Sequence, residues 1–320
     1  MKSHLFLIVS LFAGIVYAGS EQQAMSWVQK MSQAMQQQSY QGRFVYAHNN
    51  QLESMSVLHI NDQQGRRERL LSLNGEAREI LRDDENLTCV WPSSRKVVVD
   101  KSNPLNISPL WIPEDVARLG KFYEFSLVGE DRIAGYPAVV VSIQPRDAYR
   151  YGMKIWIDSQ SNLLLQSVLM DDKGTSGERI MFTDLNLLDD IDKIAAFSVD
   201  PQIEEGYAVI RSNGDESEDL LQADHKWQIE SLPAGFWMDK AFLKRMEGSD
   251  KLTQHMIVTD GMASVSVFIE ETSADSLSGA SLMGAVNAFG ARYNQFAITA
   301  IGEVPAITVQ QIAESIVYKE

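Results

Sequence analysis

The first regular pattern of apolar positions lies between Glu21 and Ser39, where Ala24, Val28, Met31 and Met35 recur at helical spacing. Glutamine, serine and lysine residues stand between them, so one side of the segment is apolar and the other polar. This spacing predicts an amphipathic helix that covers another surface of the protein.

After Gly42 the pattern changes to short β-rich runs that turn residues separate. The Asn74-Gly75 dipeptide is a strong two-residue hairpin signal, and Pro113 begins a short helix that continues to Phe122. About eleven strands are too many for a small flat sheet, so we expect a curved or partly closed antiparallel barrel. The strands are predicted at 44–48, 55–60, 68–73, 76–82, 87–91, 96–100, 123–128, 137–143, 153–157, 163–170 and 179–185.

The composition shifts near residue 200, where an acidic stretch such as Asp215-Glu216-Ser217-Glu218-Asp219 offers little to bury. We therefore predict a large domain at 19–200, a linker at 201–222 and a smaller domain at 223–320. In the smaller domain, strands are predicted at 236–239, 254–259, 265–270 and 297–302. A terminal amphipathic helix is predicted after Pro305.

Residues 1–18 have the features of a secretory signal peptide: a basic start, an apolar run of Leu5–Val16 and small residues at Ala18 and Gly19. The apolar run is too short to cross a bilayer. Because Gly19, and not cysteine, follows Ala18, we expect a secreted protein that begins near Gly19 without an attached lipid.

The formal net charge of −15 disfavours nucleic acid and anionic membrane surfaces as partners. Cys89 is the single cysteine, so no disulfide can form within the chain. We expect Cys89 to be a small buried side chain rather than a reactive thiol.

Catalytic and metal-binding motifs are not found in the sequence. The histidines after residue 18, which are His48, His59, His225 and His255, do not have the spacing of metal ligands. The segment Gly279–Gly284 has the wrong spacing for a nucleophile elbow, and no glycine-rich phosphate loop is present. We expect neither an enzyme nor a cofactor, although paired catalytic carboxylates, as in a secreted hydrolase, stay an alternative in so acidic a chain.

Six short motifs occur in order along the chain. They are Tyr40-Gln41-Gly42-Arg43-Phe44, Asp131-Arg132-Ile133-Ala134-Gly135, Ile155-Trp156-Ile157-Asp158, Leu232-Pro233-Ala234-Gly235-Phe236, Thr259-Asp260-Gly261 and Ile301-Gly302-Glu303-Val304-Pro305. In this order they resemble the RseB/MucB family of sigma-E regulators, and the resemblance covers nearly the whole sequence after residue 18.

The resemblance implies an α+β, mainly β fold. Its large domain is a LolA/LolB-like open β-barrel with covering helices, joined to a smaller C-terminal α/β domain. It also implies a periplasmic regulator that binds the periplasmic part of an inner-membrane anti-sigma factor and shields it from proteolysis. Release of the anti-sigma factor would follow when the protein binds acyl chains of lipoprotein or lipopolysaccharide. The alternative function is a periplasmic carrier of lipid or lipoprotein, and homo-oligomerisation is left open.

Candidate site residues follow from this expectation. An apolar groove in the large domain would be lined by Phe44, Tyr46, Leu58, Trp91, Leu110, Trp111 and Trp156, although strand aromatics are also ordinary core residues. The proline-rich segment Asn103–Pro113 would form its lid. Partner binding is expected in the small domain at Trp227, Leu232, Pro233, Phe236 and Trp237, because tryptophan and other aromatics are enriched at interface hot spots. For Phe236, packing into the small domain's own core is an equally good interpretation, and Trp237 is the stronger candidate because it points the other way in an alternating strand.

Overall fold

In the part of the chain that the structure describes, the fold contains a large sheet that is antiparallel except at one edge, a medium-sized antiparallel sheet, a two-stranded sheet and three helices. The computed structural model describes residues 13–48, 51–84, 86–100, 115–171, 176–188, 205–212, 226–245 and 252–319. Within those ranges, no helix has both the length and the apolar character needed to cross a membrane.

Helix α1 (Ala13–Gln37) confirms the predicted amphipathic helix and begins earlier than Glu21. Ala24, Val28 and Met31 are fully buried, because their spacing puts them on one side of the helix. The end of α1 contacts the strand Gln51–Asp62, where the Nε2 atom of His59 lies 3.3 Å from the Gln36 carbonyl oxygen. The face of the large sheet that α1 covers is called the inner face below.

The large sheet has twelve strands in the order β12-β6-β5-β4-β3-β2-β1-β11-β10-β9-β8-β7. It is open and not closed into a barrel, since β12 and β7 form two separate edges. This confirms the open, mainly β fold that the family resemblance implies. The strands are β1 (Tyr40–His48), β2 (Gln51–Asp62), β3 (Gly65–Ser72), β4 (Glu79–Arg82), β5 (Leu87–Trp91), β6 (Lys96–Asp100), β7 (Tyr123–Ile133), β8 (Tyr136–Pro145), β9 (Gly152–Asp158), β10 (Leu164–Met170), β11 (Ser176–Leu187) and β12 (Ala208–Ser212).

The sheet curls at the end that carries β7. The Tyr136 hydroxyl at the start of β8 donates a hydrogen bond to the carbonyl of Leu185 in β11, although β9 and β10 lie between these strands. Near the middle, the β1–β11 register shifts between Arg43 and Phe44. Gly42 lies beside this shift, and a Cβ atom there would lie 2.5 Å from the Asp184 carbonyl oxygen. The close approach of β1 and β11 therefore requires glycine.

Strand β12 differs from the predicted linker at 201–222. Ala208–Ser212 pairs in parallel with β6 and extends the large sheet beyond residue 200. Tyr207 and Val209 pack against a small apolar cluster of Leu81, Val90 and Val97. This alternation of apolar positions is typical of a strand. The linker is predicted from the average composition of residues 201–222, in which the neighbouring acidic residues outweigh these apolar ones.

The smaller domain is built on a six-stranded antiparallel sheet in the order β14-β15-β16-β19-β18-β17. Helix α3 (Ala306–Glu314) packs on this sheet through Val309, Ile312 and Ala313, as the terminal pattern predicts. The helix between β6 and β7, α2 (Val116–Leu119), is shorter than predicted. The remaining strands are β13 (Trp227–Ile229), β14 (Trp237–Arg245), β15 (Leu252–Thr259), β16 (Ser264–Glu271), β17 (Gly279–Met283), β18 (Val286–Tyr293), β19 (Phe296–Gly302) and β20 (Ile316–Tyr318).

Candidate functional site at the seam between the domains

Arg150 forms the centre of the contact between the two domains, which we call the seam. It lies in the loop between β8 and β9 of the large domain, and its side chain is fully buried. Its Nε atom donates to Oδ2 of Asp260, at 2.6 Å, in the smaller domain. The same guanidinium also pairs with Asp147 and donates to the backbone carbonyl of Ala234. A buried cation is thus matched by acceptors from both domains, as its desolvation requires.

Asp260 is held in place by its own turn. Its Oδ1 atom accepts from the backbone N–H groups of Met262, at 2.8 Å, and Ala263, at 2.7 Å, between β15 and β16. The Tyr123 hydroxyl from β7 donates to Oδ2 at 2.8 Å. Burial, followed by the charge of Asp260, raises the pKa of Tyr123 well above its ordinary value, so this hydroxyl stays a donor.

Aromatic rings from both domains enclose the guanidinium of Arg150. Its central carbon lies 4.8 Å from the ring centroids of Phe122 in the large domain and Phe236 in the smaller one. Gly235 lies next to Phe236 with a φ of +87°, and a Cβ atom there would lie 2.5 Å from the Phe122 ring. Because only glycine satisfies both conditions, the segment before β14 can approach the large domain this closely.

A second set of contacts joins the same loop to the first turn of α3. The hydroxyl of Thr308, which is fully buried, donates to the carbonyl of Tyr149 at 2.8 Å. The Nδ2 atom of Asn287 in β18 donates to the Tyr151 hydroxyl at 3.0 Å and to the Val304 carbonyl at 2.8 Å. The loop of residues 146–151 is therefore bound to four separate parts of the smaller domain: the segment before β14, the turn of Asp260, β18 and α3.

Two of the predicted partner-binding residues lie at this seam. Phe236 is buried against Arg150, and Trp237 is half-buried with the guanidinium carbon of Arg118 in α2 at 3.6 Å from its ring centroid. Two of the other three, Trp227 and Leu232, pack against the smaller domain's own core. Trp227 packs edge-on against Tyr293, Phe296 and Tyr318, while Leu232 is half-buried and Pro233 is buried.

The predicted groove residues do not share one face of the large sheet. Phe44 is fully buried beneath α1, 5.5 Å from Phe182 between ring centroids. Tyr46 donates to Glu178, and burial together with this hydrogen bond raises its pKa. Leu58 pairs with Gln41, whose side chain is exposed on the face opposite to α1.

Register also separates Trp156 from Tyr46. Tyr46 pairs with Ile180 and Ile180 with Ser167. Ser167 pairs in turn with Ile155, so these side chains point to one face and Trp156 to the other. There the Trp156 indole N–H donates to Asp131 at 2.9 Å.

Strand register places Trp91 on the inner face. Val57 pairs with Leu70, Leu70 with Ile80 and Ile80 with Cys89, and Trp91 follows Cys89 by two residues in the same strand. It is half-buried and lies outside the apolar cluster beneath α1. Leu110, Trp111 and the predicted lid at 103–113 lie outside the described residues.

The sequence pattern did not reveal Arg150, Asp260 or Tyr123 as site residues. Arg150 and Asp260 are 110 residues apart, and no local spacing connects them. The Thr259-Asp260-Gly261 motif was a signal, since an aspartate before a glycine is typical of a turn. Its second role, as the acceptor for Arg150, depends on tertiary structure.

An open curved sheet and a smaller sheet domain, joined through a buried ion pair and aromatic rings, define a two-domain, mainly β protein. Family models assign both halves: the MucB/RseB N-terminal domain matches residues 23–200, and the MucB/RseB C-terminal domain matches residues 221–317. The chain belongs to the MucB/RseB family, which is a family of regulatory proteins and not of enzymes.

Individual relatives agree with this assignment. The chain is 32% identical to the sigma factor AlgU regulatory protein MucB of Pseudomonas aeruginosa, over 98% of this chain and 96% of that protein. It is 24% identical to the sigma-E factor regulatory protein RseB of Haemophilus influenzae, over 98% of this chain and 97% of that one.

Solved structures extend the likeness to three dimensions. The complex of Pseudomonas aeruginosa MucA and MucB is similar with a TM-score of 0.71 and 28% identity, over 93% of this chain and 99% of that chain. A crystal structure of MucB with MucA(peri) has a TM-score of 0.69 and 27% identity, with the same coverage.

Proposed function

We propose that this protein is a periplasmic negative regulator of an envelope-stress sigma factor. It binds the periplasmic part of an inner-membrane anti-sigma factor and shields that part from proteolysis. The observation that carries the proposal is the similarity over 93% of the chain to MucB in complexes with MucA, one of them with MucA(peri). The signal-peptide features of residues 1–18 support the periplasmic location.

Calorimetry and a protection assay test this function together. The purified chain is mixed with the periplasmic tail of an anti-sigma factor, and the cleavage rate of the tail by its protease is measured with and without the chain. We expect saturable binding and slower cleavage. Binding without slower cleavage would rule out shielding, and no binding would rule out the proposed partner.

We further propose that acyl chains of lipoprotein or lipopolysaccharide bind to the large domain and cause release of the anti-sigma factor. Support comes from the open sheet, whose inner face carries an apolar cluster. In this structure α1 covers that cluster with fully buried Ala24, Val28 and Met31. An acyl chain would therefore compete with α1 or bind beside it, near the half-buried Trp91.

Trp91→Asp is predicted to weaken acyl-chain binding at least tenfold, because a carboxylate on an apolar binding surface pays a desolvation cost. The measurement is fluorescence titration with a lipoprotein-derived acyl peptide. Leu71→Asp is the matched control, since Leu71 is partly exposed and lies by register on the opposite face. Equal lipid affinity of folded Trp91→Asp and wild-type protein would exclude Trp91 from the lipid site.

Trp237→Ala is predicted to weaken binding of the anti-sigma tail by about 1 kcal/mol or more, roughly fivefold in Kd, because half-buried tryptophans are frequent hot spots. Calorimetry gives the change in affinity. Arg118→Gln is the control, since it removes the cation above the Trp237 ring and leaves the ring in place. If Arg118→Gln weakens binding as much as Trp237→Ala, the effect arises from the seam and not from contact with the tail.

A further inference from the structure

Strand β17 (Gly279–Met283) is an edge of the smaller domain's sheet and pairs, among the described residues, with β18 alone. The pairing runs without a register shift to a two-residue turn at Gly284 and Ala285. In such a hairpin the pair that closes the turn, Met283 and Val286, is hydrogen-bonded. The backbone N–H and C=O groups of Leu282 and Ala280 therefore point away from β18, toward the open edge.

The other edges of the two larger sheets carry the usual protection against pairing with a further strand. Strand β14 contains Asp239, Lys240, Lys244 and Arg245, and its register shifts between Met238 and Lys240. Strand β7 contains Glu130, Asp131 and Arg132, with a shift between Leu127 and Gly129. Strand β12 is short and carries Arg211.

Strand β17 is as short as β12, but it carries no charged side chain and its pairing with β18 has no register shift. Residues 276–291 contain no charged side chain, in a chain of which 22% of the residues are charged. Leu282 is 68% exposed and Met283 67%, the highest values among the large exposed hydrophobic residues that the structure describes. An unprotected edge with apolar side chains on both faces is the feature that strand addition uses, because main-chain hydrogen bonds supply affinity and alternate side chains supply specificity.

We propose that β17 is a docking edge for an uncharged, extended peptide segment of a partner protein, which adds to the sheet as a seventh strand. Two observations favour such a peptide over a second copy of this chain. Each copy carries a net charge of −15, so two copies repel each other. Moreover, pairing of two five-residue strands falls short of the roughly 1,200 Å² that a stable dimer of two folded copies buries, whereas a peptide that binds transiently needs a smaller area. The proposal goes beyond the proposed function, and its test needs no anti-sigma factor.

The test uses the full chain and a capped synthetic peptide, Thr-Val-Thr-Val-Thr-Val-Thr. Backbone amide NMR and hydrogen exchange follow the protein during titration with this probe. We expect shifts and added protection at 279–283, and no binding by a peptide whose middle valine is replaced by proline. No binding at millimolar peptide, protection elsewhere than β17, or equal binding of the proline peptide would overturn the proposal.

Two substitutions locate the site. Leu282→Pro removes the outward N–H without removing a bond to β18, and Leu282→Lys adds a charge to the edge. Each should weaken peptide binding at least tenfold. Leu52→Lys is the matched control, because Leu52 is 66% exposed in the large domain, and it should leave binding unchanged.

Thermal unfolding confirms that each variant is folded as the wild type is. Unchanged affinity in folded Leu282→Lys, or an equal loss in Leu52→Lys, would contradict the assignment. Sedimentation analysis tests whether a second copy of this chain binds to β17 instead. A wild-type dimer that Leu282→Lys converts to monomer would assign β17 to self-association and overturn the peptide proposal.

Discussion

Asp260→Asn is expected to lower the free energy of unfolding by about 3 kcal/mol. Breaking a buried ion pair from one side leaves a desolvated charge, which costs roughly 3–5 kcal/mol. Asp147 still pairs with Arg150 in this variant, so the lower end of that range applies. The change also leaves the Tyr123 hydroxyl with a neutral acceptor. Chemical denaturation measures the loss, and X-ray scattering in solution reports whether the domains separate.

Arg146→Ala is the control for this experiment. Arg146 pairs with Glu21 at 2.6 Å, but both side chains are partly exposed, at 41% and 30%. Exposed pairs contribute about 0–1 kcal/mol. A double-mutant cycle of Asp260→Asn with Arg150→Met should show a coupling energy of at least about 1 kcal/mol. If Asp260→Asn costs no more than Arg146→Ala, the buried pair does not hold the domains together.

Truncation before residue 222 is expected to abolish binding of the anti-sigma tail, while the remaining large domain still takes up acyl chains. The physical reason is that the truncated chain lacks Phe236 and Trp237 and exposes the surface around Phe122 that they cover. Calorimetry with the tail and fluorescence titration with an acyl peptide measure the two activities separately.

The control is a protein that is cleaved between the two domains but keeps both of them. A protease site placed within residues 213–225 allows the chain to be cleaved while both domains stay present. This protein should bind the tail as the intact chain does, because the seam residues are unchanged. Full affinity in the truncated large domain would instead put the partner site there and reverse the assignment.

Local patterns predicted most of the elements. The spacing of Ala24, Val28 and Met31 predicted α1, and alternation with turn signals predicted the strands of the large sheet. The β17–β18 hairpin was not predicted, because its glycine, alanine and serine residues alternate weakly and its turn is Gly284-Ala285 rather than Asn-Gly. The β-strand propensity of such residues is low, so this segment forms a strand because it pairs and packs with neighbouring strands.

The candidate sites were harder to predict than the fold. Phe44, Leu58 and Trp156 are all apolar strand residues, but which face each occupies depends on strand register, and the register shifts near Phe44 and Leu164. A shift by one residue moves a side chain to the other face. Arg150 and Asp260 carry charges, which sequence patterns assign to the surface, so their burial could not be foreseen.

The position of β12 determines how far the two domains can move apart when the seam opens. The chain leaves the large sheet at the edge beside β6, whereas the loop that carries Arg150 follows β8 near the opposite edge. Residues 213–225 connect that exit to Lys226, and thirteen residues span up to about 45 Å when extended. If the seam opens, the two domains stay tethered, at an effective concentration that short linkers put near millimolar. Dilution therefore cannot keep them apart, and lasting separation requires a competitor that occupies the surface around Arg150 or Phe236.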